Sequence, residues 1–184
     1  RRTIKFIRER NRNKNTMNPQ NESHMASVSN DRLSCDCNIC KNACKTKPGW
    51  FKPGEAEKVA EYLNIPMLDL FNNYLAVDWF SGEGENYYPL SPSAKTNLPG
   101  EMWPYNPRGE CIFYKQGKCS IHPVAPFECR AYTHADTSEE AIKRHGETAK
   151  EWKNSHDYLE NLLGYSPTPP EPESFAEMLG FGWL

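Results

Sequence analysis

Residues 111–132 read Cys111-Ile112-Phe113-Tyr114-Lys115-Gln116-Gly117-Lys118-Cys119-Ser120-Ile121-His122-Pro123-Val124-Ala125-Pro126-Phe127-Glu128-Cys129-Arg130-Ala131-Tyr132. Two short apolar runs flank a glycine-containing turn, which is the pattern of a β-hairpin. Side chains alternate along a strand, so an odd-numbered loop sets Cys111 and Cys119 on one face of the ribbon. Pro126 then opens a single helical turn bearing Cys129, because proline is tolerated where a helix begins.

Some seventy residues upstream lies a second group, Cys37-Asn38-Ile39-Cys40-Lys41-Asn42-Ala43-Cys44. Two thiolates three residues apart can face one ion from a turn. Neither set of three cysteines closes a four-coordinate shell alone, so the simplest arrangement brings Cys37, Cys40 and Cys44 together with Cys111, Cys119 and Cys129. Six thiolates allow a four-cysteine site with two spares, a binuclear cluster with shared thiolates, or an iron–sulfur cluster. Cys35, one residue from Cys37, reads as a bystander. The bland alternative, cysteines buried as small hydrophobes, fits poorly with three of them among polar neighbours.

The flanking chain supplies helices. Ala56, Val59, Ala60 and Leu63 after Pro53, and Met67, Leu70, Phe71, Tyr74 and Leu75 after Pro66, follow three- and four-residue spacing. They predict a helix pair broken at Asn64-Ile65-Pro66. From Asp136 or Thr137, Ile142, His145, Ala149, Trp152, His156, Leu159 and Leu163 predict one long C-terminal helix that Gly164 stops. Gly146 within it reads as a point of close approach to another element. Residues 81–109, rich in proline and glycine, read as an Ω-type loop or a lid, anchored by Tyr87, Tyr88, Met102, Trp103 and Tyr105. The expected fold is therefore α+β: a small, irregular, metal-stapled domain, mostly helical, with one short hairpin and a long C-terminal helix. It spans residues 33–164, between a disordered polar leader at 1–32 and a Pro-rich strap at 165–184. The apolar end of that strap (Phe175, Met178, Leu179, Phe181, Trp183, Leu184) is expected to dock back or meet a protein partner.

Charge narrows the function. The chain has 184 residues and a net charge of −2, with 38% hydrophobic residues. Residues 1–16 hold seven Lys and Arg against Glu9 alone, so the remainder stands at −8. An acidic body repels phosphate, which makes a nucleic-acid module the weakest reading. No apolar run approaches the ~20 residues of a membrane-spanning helix. Seven cysteines without a secretory h-region suit a reducing, cytoplasmic setting.

The ordered motifs resemble the YkgJ-type cysteine-cluster family, described as a zinc- or iron-chelating domain. The resemblance covers residues 35–134: Cys37, Cys40 and Cys44, the helix from Pro53 to Leu63, Cys111-Ile112-Phe113, Cys119-Ser120-Ile121, and Pro126-Phe127-Glu128-Cys129-Arg130. The chain departs from that pattern at Ala43, where a second cysteine is usual, at Ala125, where an Arg is usual, and at His122, where a Tyr is common. The resemblance implies metal binding and no defined reaction. It leaves open whether Cys35, His122 or His134 completes the ligand set. Zinc is the expected metal, with iron or an iron–sulfur redox centre as the alternative. His145 and His156 read as core histidines, and Arg130 as a donor to a thiolate or carbonyl. No Gly-x-Gly-x-x-Gly, P-loop or His-Glu-x2-His sequence is present.

Overall fold

The computed structural model describes residues 38–103 and 108–170, all within the unit Asp31–Leu184. The leader 1–32, Cys35, Cys37, Tyr105 and the strap beyond Pro170 lie outside the described residues. Among the described residues no helix is long and apolar enough to cross a membrane.

Helix α1 (Asn38–Thr46) leads to the predicted helix pair, α2 (Glu55–Leu63) and α3 (Met67–Tyr74). Asn64 ends α2 with φ 53°, and its N–H returns to the carbonyls of Ala60 and Glu61. Asn is one of the few side chains that tolerate this left-handed geometry. Pro66 then stands just before α3.

The 81–109 stretch is not a structureless loop. Strand β1 (Leu75–Asp78) is wholly buried and sits at the centre of a three-stranded sheet. It pairs antiparallel with β4 (Leu90–Pro92) and parallel with β5 (Met102–Trp103). Between them β2 (Phe80–Gly82) and β3 (Glu85–Tyr87) form a hairpin. Its turn residues Glu83 and Gly84 both have positive φ, which matches the twist of the strands. Pro92 is tolerated because β4 is an edge strand, where a missing N–H removes no second ladder. Tyr87 and Tyr88 are buried, as expected of anchors.

Strands β6 (Tyr114–Lys115) and β7 (Lys118–Cys119) give the predicted hairpin, and Phe127–Ala131 the predicted helical turn, α4. The single long C-terminal helix is replaced by two. Helix α5 (Ser138–Glu151) opens on the Thr137–Glu140 capping box, and α6 (Ser155–Leu163) closes on Gly164 at φ 62°. Between them the Trp152 N–H bonds Ala149, three residues back, and the Ser155 N–H bonds Trp152. Tertiary contacts outweigh the regular ladder at this point. The Trp152 indole donates to the Phe51 carbonyl at 2.7 Å in the core, and the Ser155 hydroxyl accepts the Tyr88 N–H at 2.9 Å. The seam breaks with it: Ala149, Trp152, Leu159 and Leu163 are buried, whereas Ile142 is 73% exposed.

The core joins Phe51, Val59, Leu70, Leu75, Val77, Leu90, Phe113, Ile121, Trp152 and Leu159, drawing on helices and sheet alike. It leaves one side of the fold, between α1, α4 and α5, for a cavity.

Candidate metal centre

Helix α1 carries Cys40 and Cys44 four residues apart, a spacing that places both on one helical face. The sequence reading had these ligands on a turn. Segment 109–112 is stitched to the end of α1: Gly109 N–H bonds the Thr46 carbonyl at 2.9 Å, and Cys111 N–H bonds the Cys44 carbonyl at 2.8 Å. On its other side, Cys111 bridges Ala94. Two main-chain contacts therefore fix Cys111 beside Cys44.

The loop between β6 and β7 has two residues, Gln116 and Gly117, both at positive φ, so Tyr114 pairs with Cys119. An even loop puts Cys111 out of phase with Cys119 along the ribbon. Both cysteines nonetheless line one cavity, because Cys111 lies outside the ladder, in a turn that the Tyr114 N–H closes on its carbonyl.

Cys129 is brought in from α4. Gly49 N–H points at its sulfur at 3.4 Å. A Cβ on residue 49 would lie 2.8 Å from the Glu128 Cβ and 3.2 Å from the Cys129 sulfur, so glycine alone permits this approach. The Pro48-Gly49 step was the available sequence signal.

Cys40, Cys44, Cys111, Cys119 and Cys129 all line one partly open cavity of about 620 Å³. Five of the six predicted ligands thus share a wall, and the sixth, Cys37, lies outside the described residues. Among the described residues, no three Cys, His, Asp or Glu side chains stand close enough to hold one ion as they lie. Rotation between staggered χ1 wells moves a cysteine sulfur by about 3 Å.

Burial pushes the Cys111 thiol up to about 12, and negative charge on Cys119 or Cys44 pushes the same way. Burial also raises Cys129 well above its ordinary value, with Cys111, Cys44 and Cys119 adding and the Gly49 N–H opposing. The sulfurs are near enough to feel one another, and without a cation they disfavour ionisation. Cys111 therefore lends the metal-free fold a stability that is intact below about pH 9, where the unfolded thiol titrates, and is lost as pH rises towards 12. We expect the unfolding free energy of metal-free protein, read from urea titrations, to fall between about pH 8 and about pH 10.5 by on the order of 2 kcal/mol, with a shallower fall in Cys111→Ser. Equal slopes in the two proteins would assign the loss to other groups.

The other predicted residues divide. His134 lies beside Cys40, with its Nδ1 3.7 Å from the sulfur. His122 starts a 3-10 turn and does not line the cavity. Among the described residues Arg130 bonds no cysteine sulfur: its Nε donates to the Ala125 carbonyl at 2.9 Å, and its guanidinium pairs with Glu55. Glu55 also accepts the N–H groups of Lys52 and Phe127, which ties the start of α4 to the start of α2. Gly146 makes no close approach, since a Cβ there would meet nothing within 4 Å. It faces the cavity instead.

The sequence reading missed Trp50 and Glu128. The Trp50 indole donates to buried Asp78 at 2.8 Å, and its backbone N–H donates to Glu128 Oε2 at 2.8 Å. His145 is half-buried on the cavity wall, with Nδ1 2.7 Å from Glu128 Oε1. Nothing in local periodicity links positions so far apart. Comparison with protein-family models, with curated proteins and with solved structures returned no match.

Proposed function

We propose that this protein binds a metal ion, zinc in preference to iron, through a cysteine cluster drawn from Cys37, Cys40, Cys44, Cys111, Cys119 and Cys129. The reading rests on the motif order that resembles the YkgJ-type family. The observation that carries it is the convergence of cysteines from α1, the hairpin region and α4 on a single cavity. Thiolates are soft ligands that suit zinc and iron–sulfur centres. A cation offsets the burial that, with the neighbouring sulfurs, keeps Cys111 and Cys129 protonated, so metal binding and thiol deprotonation proceed together. No reaction is assigned.

The test compares metal-to-protein ratios of anaerobically purified wild type, Cys35→Ser, Cys40→Ser and Cys119→Ser. Wild type and Cys35→Ser should carry equal zinc, while the other two lose it, because a half-ligated ion leaves an incomplete shell. A brown wild-type protein containing iron and sulfide would instead assign an iron–sulfur centre. Wild type without stoichiometric metal overturns the proposal. Loss of metal from Cys35→Ser would make Cys35 a ligand in the place left by Ala43.

A further inference from the structure

His145 is held more firmly than a helix-surface histidine requires. Its imidazole stacks on the Trp50 ring, with centroids 3.5 Å apart and planes inclined by 24°. Phe80 meets it edge-on at 6.1 Å. Its Nδ1 is fixed by Glu128 Oε1, and the other oxygen of that carboxylate is fixed in turn by the Trp50 backbone N–H. Ring position, tilt and rotation are all set.

The second ring nitrogen has no partner among the described residues. In the tautomer whose Nδ1–H donates to Glu128, the ring's lone pair stands at Nε2. Nε2 lies on the side of the ring away from Glu128, and His145 lines the cavity that the cysteines share. The next residue, Gly146, leaves the adjoining space open. A carboxylate behind one nitrogen and a metal ahead of the other is how ligating histidines are commonly oriented.

We propose that His145 Nε2 is a nitrogen ligand of the cysteine-lined metal centre, with Glu128 as its positioning residue. The inference rests on the metal-binding reading above. It also eases the electrostatics. Four thiolates around a divalent ion carry a net charge of −2, whereas three thiolates and one imidazole carry −1. The smaller charge is less costly to hold in a partly buried cavity. The shell so defined is of the Cys3His type, and it leaves some of the cysteines outside the first coordination sphere.

Cobalt(II) is the probe, because its ligand-field and thiolate charge-transfer bands distinguish sulfur from nitrogen donors. Cobalt-loaded wild type should show a mixed sulfur–nitrogen spectrum. H145A should shift those bands, with added imidazole restoring them, and E128Q should weaken metal affinity by about 10–100-fold while keeping the mixed spectrum. A purely structural His145 would alter melting and leave the bands in place. Should H145A fail to fold, X-ray absorption of zinc-loaded wild type decides the same point without a variant: a shell containing nitrogen supports the assignment, and an all-sulfur shell overturns it. Nitrogen that persists unchanged in H145A also overturns it, in favour of another histidine such as His134. Wild type that takes up neither cobalt nor zinc refutes the metal-binding reading itself, and this one with it.

Discussion

Removing bound metal with a chelator is expected to lower the melting midpoint by about 10 °C or more. A ligand present at a thousandfold excess over its Kd stabilises the native state by about 4 kcal/mol. In a protein of this size each kcal/mol corresponds to roughly 2–4 °C. Structural zinc–thiolate sites commonly contribute more than that minimum. The loss should begin around α1 and α4, which carry Cys40, Cys44 and Cys129 to the cavity. The core around Phe51, Leu70, Val77 and Trp152 lies among other elements and should keep its protection longer. Differential scanning calorimetry with and without chelator measures the shift, and hydrogen exchange locates it. Identical melting of stripped and loaded protein would show that the metal, if bound, supports no part of the fold.

Trp152→Ala should be the most damaging single substitution away from the cysteines. Trp152 is 1% exposed, packs edge-on against Tyr158 at 5.3 Å, and donates to the Phe51 carbonyl. Truncating a buried Trp costs about 3–5 kcal/mol. The orphaned carbonyl adds about 1–3 kcal/mol. Typical domains have about 5–15 kcal/mol in total, so this variant should be largely unfolded at moderate urea. Trp152→Phe keeps most of the ring volume and loses the hydrogen bond, so its midpoint should fall between wild type and Trp152→Ala. A Trp152→Ala midpoint equal to wild type would mean that α6 docks without this anchor, contrary to the break it makes in the helix.

The sequence by itself determined the elements whose signals are local. Proline at 66 and 126, Asn64 and Gly164 in left-handed geometry, and the Thr137–Glu140 capping box act within a few residues of where they stand. The helix pair, the 114–119 hairpin and both ends of the C-terminal helical region were legible for that reason. The cysteine spacing likewise marked five residues that line one cavity. Tertiary structure alone decided the rest. Strand β1 has no alternating pattern because it is buried throughout, and its parallel partner Met102–Trp103 lies beyond an intervening hairpin. The helical seam predicted through Trp152 is interrupted because a carbonyl about a hundred residues earlier, that of Phe51, captures the indole. Glu128 and His145 become a pair only when α4 and α5 pack side by side with Trp50 between the sheet and the imidazole. Helical periodicity reports which face of one segment is apolar. Which distant group waits opposite that face is settled by burial and hydrogen bonding after the segments have packed.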